Sequence, residues 1–402
     1  MFKKINFLIV VFFAFSAALF GSLQERDGQL ILHLKGTPYE RGFQHGQALQ
    51  KLIAANLSTF IENKETSSNP RTQEFLKNLP KIMPFVPKHF MEEMQGVADG
   101  AGIEFKKILM LNLFPEMFHC SGITVKNEAT KNGQLYHVRV LDYAIGKNLQ
   151  DTAVLMVVEP EGKIPYLNVS YAGFIGTVTG MNKEKISIGE VGGHGYGYWE
   201  GIPMAFLLRE LLENAMTLQQ AKEIVSGSPR TCEYYYVISD GKINESIGIY
   251  ATSSQVHFIE NGSTYAQLAN AEVPKNYGSN GDNDKFFLTD CSLESSPFQT
   301  IIKNEGKAIG LLQKQLPQTL LITGFPYPER YSILAERIEE SYGAIDEKSL
   351  MEIIKKPASL DSNLHNAIFL PSELKVWISH AGKTQPAYDQ PYHFYSLDEL
   401  LR

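Results

Sequence analysis

Cys120 stands at the head of a strand-like run, "CSGITV", with Arg139 and Asp142 on the next run, "LYHVRVLDY", and no evident base beside it. A thiol attacks a carbonyl as thiolate, so it needs a proton acceptor. A cysteine that begins a chain carries one, its own α-amino group with an ordinary pKa of about 8. Cleavage of the His119–Cys120 bond would free that amine within reach of the sulfur, directly or through a water. The opposing reading is a buried inert thiol beside an ordinary ion pair. Residues three apart on a regular strand point to opposite faces, so Arg139 and Asp142 share a side only if one lies past the strand end or on a bulge.

Other chemistries lack their residues. The ten histidines are scattered, with no His-Glu-x-x-His and no paired Cys-x-x-Cys, so no metal site is expected. There is no phosphate-cradling Gly-x-x-x-x-Gly-Lys-Ser/Thr and no Gly-x-Ser-x-Gly, and no cofactor is expected. A papain-type flank around the cysteine is also missing. "GGHGYGYWEG" (Gly192 to Gly201) reads either as a loop beside a pocket or as a glycine-rich surface turn. With a net charge of −7 and no basic cluster beyond the extreme N-terminus, nucleic-acid binding is not expected.

The chain has 402 residues, 44% of them hydrophobic and 20% charged, enough for one large core or two moderate ones. "MFKKINFLIVVFFAFSAALFGS" has two lysines, an apolar run and then small residues, the layout of a secretory signal peptide over residues 1–21. The apolar run is short of the roughly 20 residues a membrane span needs. Removal of the signal would leave no stable span and a protein that is secreted, periplasmic or held in a lysosome-like lumen. Three cysteines do not make a disulfide scaffold. Cys232 and Cys291 could pair in an oxidising compartment, leaving Cys120 free, but spacing alone does not show that they do. Asn56, Asn168, Asn244 and Asn261 open Asn-x-Ser sequons.

The elements that would position these residues follow from periodicity. "QLILHLKG" alternates as a strand, and helices are expected over "TPYERGFQHGQALQKLIAANLSTFIE", "TQEFLKNL" and "PKHFMEEMQGVADGAG". From Cys120 the pattern becomes period-two: "SGITV", "LYHVRVLDY", "AVLMVVEP", "PYLNVSY", "GTVTG" and "KISIGEV", the first two joined by a hairpin turning at Asn132-Gly133. One long amphipathic helix is expected over "PMAFLLRELLENAMTLQQAKEIV". Strands follow at "EYYYVISDG", "ESIGIYA", "QVHFIENG" and "TYAQLAN", then helices at "ERYSILAERIEESYG" and "EKSLMEIIKK", and a closing strand pair in "HNAIFLPSELKVWISHAG". Sheets covered by helices fit this order better than a doubly wound parallel fold. His45 reads as a helix-packing residue, and Tyr234, Tyr235 and Tyr236 as an aromatic strand.

"GTPYERGFQHG", Cys120-Ser121, "HVRVLD", "GMNKEKISI" and "PMAFLLRELLENAMTLQQAKEIV", in that order, resemble the autoproteolytic acyltransferase/hydrolase family of isopenicillin-N N-acyltransferase. That family belongs to the N-terminal nucleophile hydrolases, with choloylglycine hydrolases and acid ceramidase as more distant relatives. The resemblance implies an α+β fold, a four-layer α/β/β/α sandwich of antiparallel sheets. It implies a signal peptide (1–21), a helical prodomain (22–119) and a catalytic chain (120–402), the last two cut apart between His119 and Cys120 and held together as a heterodimer. By resemblance Cys120 is the nucleophile, Asp142 holds the new amine, and Arg139 lies beside the sulfur and favours thiolate. Asn270, in "QLANAEVP" where relatives read Thr-Asn-x-Pro, corresponds to the oxyanion-stabilising amide, and Arg330 to a late arginine near the site. His119 is the residue before the scissile bond. The implied reaction is hydrolysis or transfer of an acyl group from a small amide, ester or thioester through a Cys120 acyl-enzyme. A phospholipase B-like or ceramidase-like lipid acyl hydrolase, and an exported binding protein that keeps the scaffold without turnover, are the alternatives.

Overall fold

The computed structural model describes residues 21–63, 68, 70–113, 119–143, 145–192, 198–232, 234–262, 316–323 and 328–402. The expected signal peptide, the strand "TYAQLAN", Asn270 and Cys291 lie outside the described residues, apart from residue 21.

The chain enters through β1 (Ser22–Arg26) and β2 (Gln29–Gly36), then five helices: α1 (Pro38–Ala48), α2 (Gln50–Phe60), α3 (Pro70–Ile82), α4 (Lys88–Ala101) and α5 (Phe105–Leu113). The hairpin β3 (His119–Asn127) and β4 (Gly133–Asp142) follows, then β5 (Ala153–Pro160), β6 (Tyr166–Tyr171), β7 (Thr179–Asn182) and β8 (Ile186–Glu190). Two helices, α6 (Met204–Asn214) and α7 (Leu218–Gly227), lead to β9 (Tyr234–Asp240), β10 (Glu245–Ala251) and β11 (Val256–Glu260). The last part holds β12 (Thr319–Thr323), α8 (Pro328–Glu340), α9 (Glu347–Ile353), β13 (Asn363–Leu370), β14 (Lys375–His380), β15 (His393–Ser396) and the short α10 (Leu397–Leu400).

The strands form a nine-stranded sheet in the order β1-β2-β5-β6-β7-β8-β9-β10-β11 and a six-stranded sheet in the order β12-β3-β4-β13-β14-β15. Three separate cores make four layers. Ile31, Leu155, Val157 and Val169 of the larger sheet pack against Ala367, Phe369, Val376 and Ile378 of the smaller. The larger sheet's other face, with Leu32, Leu34 and Met156, is covered by Phe90, Met94, Val97, Phe206 and Leu208 of α4 and α6. The smaller sheet's outer face, with Ile123, Val125, Val138 and Val140, is covered by Leu334 and Ile338 of α8 and Leu350 and Ile353 of α9. Strands buried on both faces are apolar throughout, which is why β5 reads "AVLMVV" rather than alternating. This is the expected α+β, four-layer α/β/β/α sandwich. Among the described residues the strand pairings are antiparallel except β2 with β5, which run parallel.

The opening motif "GTPYERGFQHG" is explained by packing. Thr37 caps α1 in a reciprocal box with Glu40. A Cβ on Gly42 would stand 1.9 Å from the Glu93 carbonyl oxygen, and one on Gly96 2.2 Å from that of Tyr39, so α1 and α4 touch backbone to backbone. His45 is a packing residue, as expected: its Nε2 accepts from the Gly173 N–H at 2.8 Å.

One expectation is corrected. The long helix after Pro203 is two, because Ala215 turns extended and Thr217 opens α7 by accepting from the Gln220 N–H. A second point bears on the sequons, for which no occupancy was expected: Asn56 and Asn168 are buried, their amides donating to the Ala172 and Gly176 carbonyls.

Candidate active site

The β3–β4 hairpin brings the sequence-derived residues together, on two faces. Cys120 pairs across with Leu141, Gly122 with Arg139, and His119 with Asp142. Alternation therefore sends Cys120, Arg139 and Leu141 inward, between the sheets, and Ser121 and Asp142 outward, toward α8. Asp142 closes β4 opposite a register shift in β13 between Asn363 and His365, and it still lies on the opposite face from Arg139. The two do not form a pair; each has its own counter-ion.

On the inner face the Cys120 thiol donates to Glu190 Oε2 at 3.5 Å, and Arg139 Nη2 donates to the same oxygen at 3.0 Å. The other oxygen of Glu190 accepts from the Gly192 N–H. Glu190 ends β8 on the facing sheet, so the contact is made by stacking two sheets. On the outer face Arg330 Nη2 donates to Asp142 Oδ2 at 2.5 Å and to Ser121 Oγ at 2.8 Å. The Leu360 N–H completes the carboxylate at Oδ1, 3.0 Å away. The two assemblies thus flank the first residues of β3 from either side.

All of these groups are buried. Burial pushes the Cys120 thiol up; Arg139 opposes this, while Glu190 and Asp142 reinforce it. In the intact chain burial thus outweighs the pull of Arg139, the guanidinium expected to favour thiolate. Burial likewise raises the carboxyls of Glu190 and Asp142 against the pull of Arg139 and Arg330. Arg139 Nε and Nη1 are buried with no hydrogen-bond partner. Leaving such donors unmet costs about 1–3 kcal/mol each, a cost that a ligand oxygen or a water would relieve.

The thiol borders an apolar space. Cys120 packs in one cluster with Phe60, Leu141, Leu149 and Tyr171. Phe60, Leu141, Leu149 and Tyr171 also wall a pocket of about 50 Å³ completed by Leu111, Tyr143, Phe174 and Val178. The Tyr171 hydroxyl is held by His365 Nδ1 at 2.8 Å, and His365 Nε2 meets Thr179 Oγ1 at 3.0 Å.

Of the expected site residues, Cys120, Arg139, Asp142 and Arg330 converge on the start of β3, and His119 precedes them on the same strand. Asn270 lies outside the described residues. Glu190 and Ser121 were not anticipated. The one signal for Glu190 was a carboxylate ending the apolar run "ISIGE". Cys232 is buried, its thiol donating to the Tyr198 carbonyl at 3.3 Å; its partner candidate Cys291 is outside the described residues. Tyr234 and Tyr236 stack at 6.3 Å within the outer core of the larger sheet, as an aromatic strand should. Among the described residues no His, Cys, Asp and Glu group has the geometry to hold a metal ion. No helix among them is long and apolar enough to cross a membrane.

A two-sheet sandwich with a cysteine near the start of a strand, an arginine beside it and a carboxylate at the strand end is the arrangement that the resemblance to N-terminal nucleophile hydrolases implies. The family model described as acyl-coenzyme A:6-aminopenicillanic acid acyl-transferase matches residues 129–270. Protein dcd1A of Dictyostelium discoideum is 26% identical over 90% of this chain and 81% of its own length. Rattus norvegicus acid ceramidase is 25% identical over 53% of this chain and 61% of its own length. Mus musculus N-acylethanolamine-hydrolyzing acid amidase is 23% identical over 42% and 49%. The chain thus spans between about half and two thirds of the last two. A solved Caenorhabditis elegans N-acylethanolamine-hydrolyzing acid amidase ortholog superposes with a TM-score of 0.44 at 18% identity, covering 63% of this chain and 93% of that one.

Proposed function

We propose that this chain is a self-processing cysteine hydrolase of small acyl amides, with Cys120 as nucleophile and an apolar acyl chain seated in the adjoining pocket. The observation that carries the reading is the Cys120 thiol donating to Glu190 while packed against Phe60, Leu141, Leu149 and Tyr171, which line that pocket.

In the precursor the Cys120 proton passes to Glu190, whose raised affinity for protons suits it to receive one. The sulfur attacks the His119 carbonyl carbon; the C–N bond breaks and the proton goes to the departing Cys120 nitrogen. Water then hydrolyses the thioester, leaving a carboxylate on residue 119 and a free thiol and amine on Cys120. Asp142, at the Cα position opposite His119, is placed to hold that amine once it forms, and Arg330 and Leu360 hold Asp142. In turnover the amine takes the thiol proton, the sulfur attacks the substrate carbonyl, and the acyl-enzyme passes its acyl group to water or an acceptor amine. The two unmet donors of Arg139 are available to a substrate oxygen.

Processing would yield a chain ending at His119 and one beginning at Cys120, in an exported protein. The first chain would remain bound, since its helices cover the larger sheet and its β2 is paired between β1 and β5. The pocket's apolar walls favour lipid-like acyl amides, the ceramidase-like alternative, over short polar acyl groups. A panel of fluorogenic amides graded in acyl length tests this: hydrolysis should rise with chain length, and a preference for acetyl or charged acyl groups would overturn it. A thiol-directed probe that leaves Cys120 unlabelled in processed, folded protein would favour the non-catalytic scaffold.

A further inference from the structure

A second recess lies away from the thiol, where the β1–β2 turn approaches β14 and β15. It is an open groove of about 430 Å³ lined by Glu25, Asp27, Gln150, Asp151, His380 and His393 among others. Arg26 ties its rim together, donating from Nη2 to the Phe394 carbonyl at 3.2 Å. Arg26 also answers Asp27, with Nε 3.7 Å from Oδ2. Glu25 and Asp151, both exposed, have no ion-pair partner among the described residues.

Two further atoms make this more than an acidic surface. Gln150 is 7% exposed; its Nε2 is spent on the Ile145 and Lys383 carbonyls, at 3.1 and 3.5 Å, while its Oε1 is buried with no hydrogen-bond partner. The His380 Nε2 is likewise shielded and unpartnered. Burial, with His393 adjacent, lowers the His380 imidazole to about 4, so it is neutral near pH 7 and does not repel a cation. The groove therefore offers two carboxylates without counter-ions, an amide oxygen and an imidazole nitrogen, a set rich in acceptors. A metal ion does not fit, because no described group of these side chains converges closely enough. The space is also several times larger than an ion requires.

We infer that this groove binds a small organic ammonium ion carrying several N–H donors, of the polyamine kind, with Glu25 and Asp151 supplying charge and Gln150 Oε1 accepting a hydrogen bond. The positive charge gains from the carboxylates, and the N–H groups supply the partner that Gln150 lacks. A quaternary ammonium of the same charge would satisfy the first requirement and not the second.

Titration calorimetry on the full chain, at fixed ionic strength, tests the inference with spermidine and its fully N-methylated tris-quaternary analogue, of the same charge, as probes. The expected result is saturable one-to-one spermidine binding, at least tenfold tighter than the quaternary analogue. The double variant Glu25→Gln/Asp151→Asn, at exposed positions, should weaken spermidine at least tenfold, and Gln150→Leu several-fold. The exposed pair Glu104→Gln/Glu161→Gln should leave it unchanged. Should Gln150→Leu not fold, the double variant carries the test. Absent saturable binding, equal affinity for the two cations, or equal loss from both double variants would overturn the assignment.

Discussion

The molecule buries two clusters of arginine and glutamate, and they are finished differently. In the helical layer Arg209 grips Glu93 with both Nη atoms, at 2.7 and 2.8 Å, and reaches Glu213 with Nε at 3.0 Å. Arg41 adds a 2.7 Å bond to Glu93 and one of 2.8 Å to the Gly36 carbonyl. Burial would raise the Glu93 carboxyl, yet the two guanidiniums together hold it down at about 2. Around Cys120 the same residue types are left incomplete: Arg139 has one bond and two unmet nitrogens, and burial prevails over it in raising Glu190. The first cluster ties α1, α4 and α6 together, with Glu93 held by two guanidiniums and Arg41 Nε its one unmet guanidinium nitrogen; the second has a single arginine with two unmet nitrogens and retains a proton acceptor. How far the buried carboxylate is satisfied is what separates the two clusters of the same composition.

Substitutions sharpen that contrast. Cys120→Ala should abolish both self-cleavage and turnover while leaving the fold intact by circular dichroism, a total loss read by gel and amidase assay. Glu190→Gln removes the proton acceptor and leaves the buried Arg139 without its counter-ion, so processing of the folded fraction should slow by about 10²- to 10⁴-fold while stability also falls. Glu93→Gln touches stability alone. It strands two buried guanidiniums and should cost about 3–5 kcal/mol in denaturant unfolding, with the processing rate of the folded fraction unchanged. Gly42→Ala, which presses a methyl onto the Glu93 carbonyl, should cost about 1–3 kcal/mol through separation of α1 from α4. If Glu190→Gln and Glu93→Gln gave the same phenotype, the contrast would not hold.

The smallest effect is with pH. Burial lowers His45 from 6.5 to about 4, so the fold prefers the neutral ring and loses stability as pH falls from 6.5 toward 4. Glu93 has a depressed folded pKa; its contribution is full above the ordinary 4.5 and is lost as pH falls from there toward 2. Thermal unfolding across pH 7 to 3 should show the first decline before the second, and His45→Gln should reduce the first, the buried His137 and His380 carrying the rest.

The sequence made the chemistry legible where it was local. Cys120, Arg139 and Asp142 sit on one hairpin whose turn and alternation were readable, and strand geometry foretold that Arg139 and Asp142 tend to opposite faces. It did not reveal that they stay there and recruit Glu190 and Arg330 from other layers, because facing-sheet contacts leave no periodic mark in the chain. The split between α6 and α7 was written in Thr217 and Gln220, an N-cap signal overridden by the continuous apolar spacing around it. The parallel pairing of β2 with β5 joins segments separated by the whole helical section, beyond any short-range pattern. The motif around Gly42 was legible as resemblance, and its physical meaning, backbone contact between helices, emerged only with α4 in place.

The central claim is that the peptide bond before Cys120 is broken by that cysteine's own sulfur, with Glu190 receiving its proton. Intact-mass measurement with N-terminal sequencing, on wild type and Glu190→Gln followed in time after purification, tests it directly. The account predicts two chains, the larger beginning at Cys120, with the variant accumulating uncut precursor. A wild-type protein that turns over acyl amides while remaining a single uncut chain would contradict it.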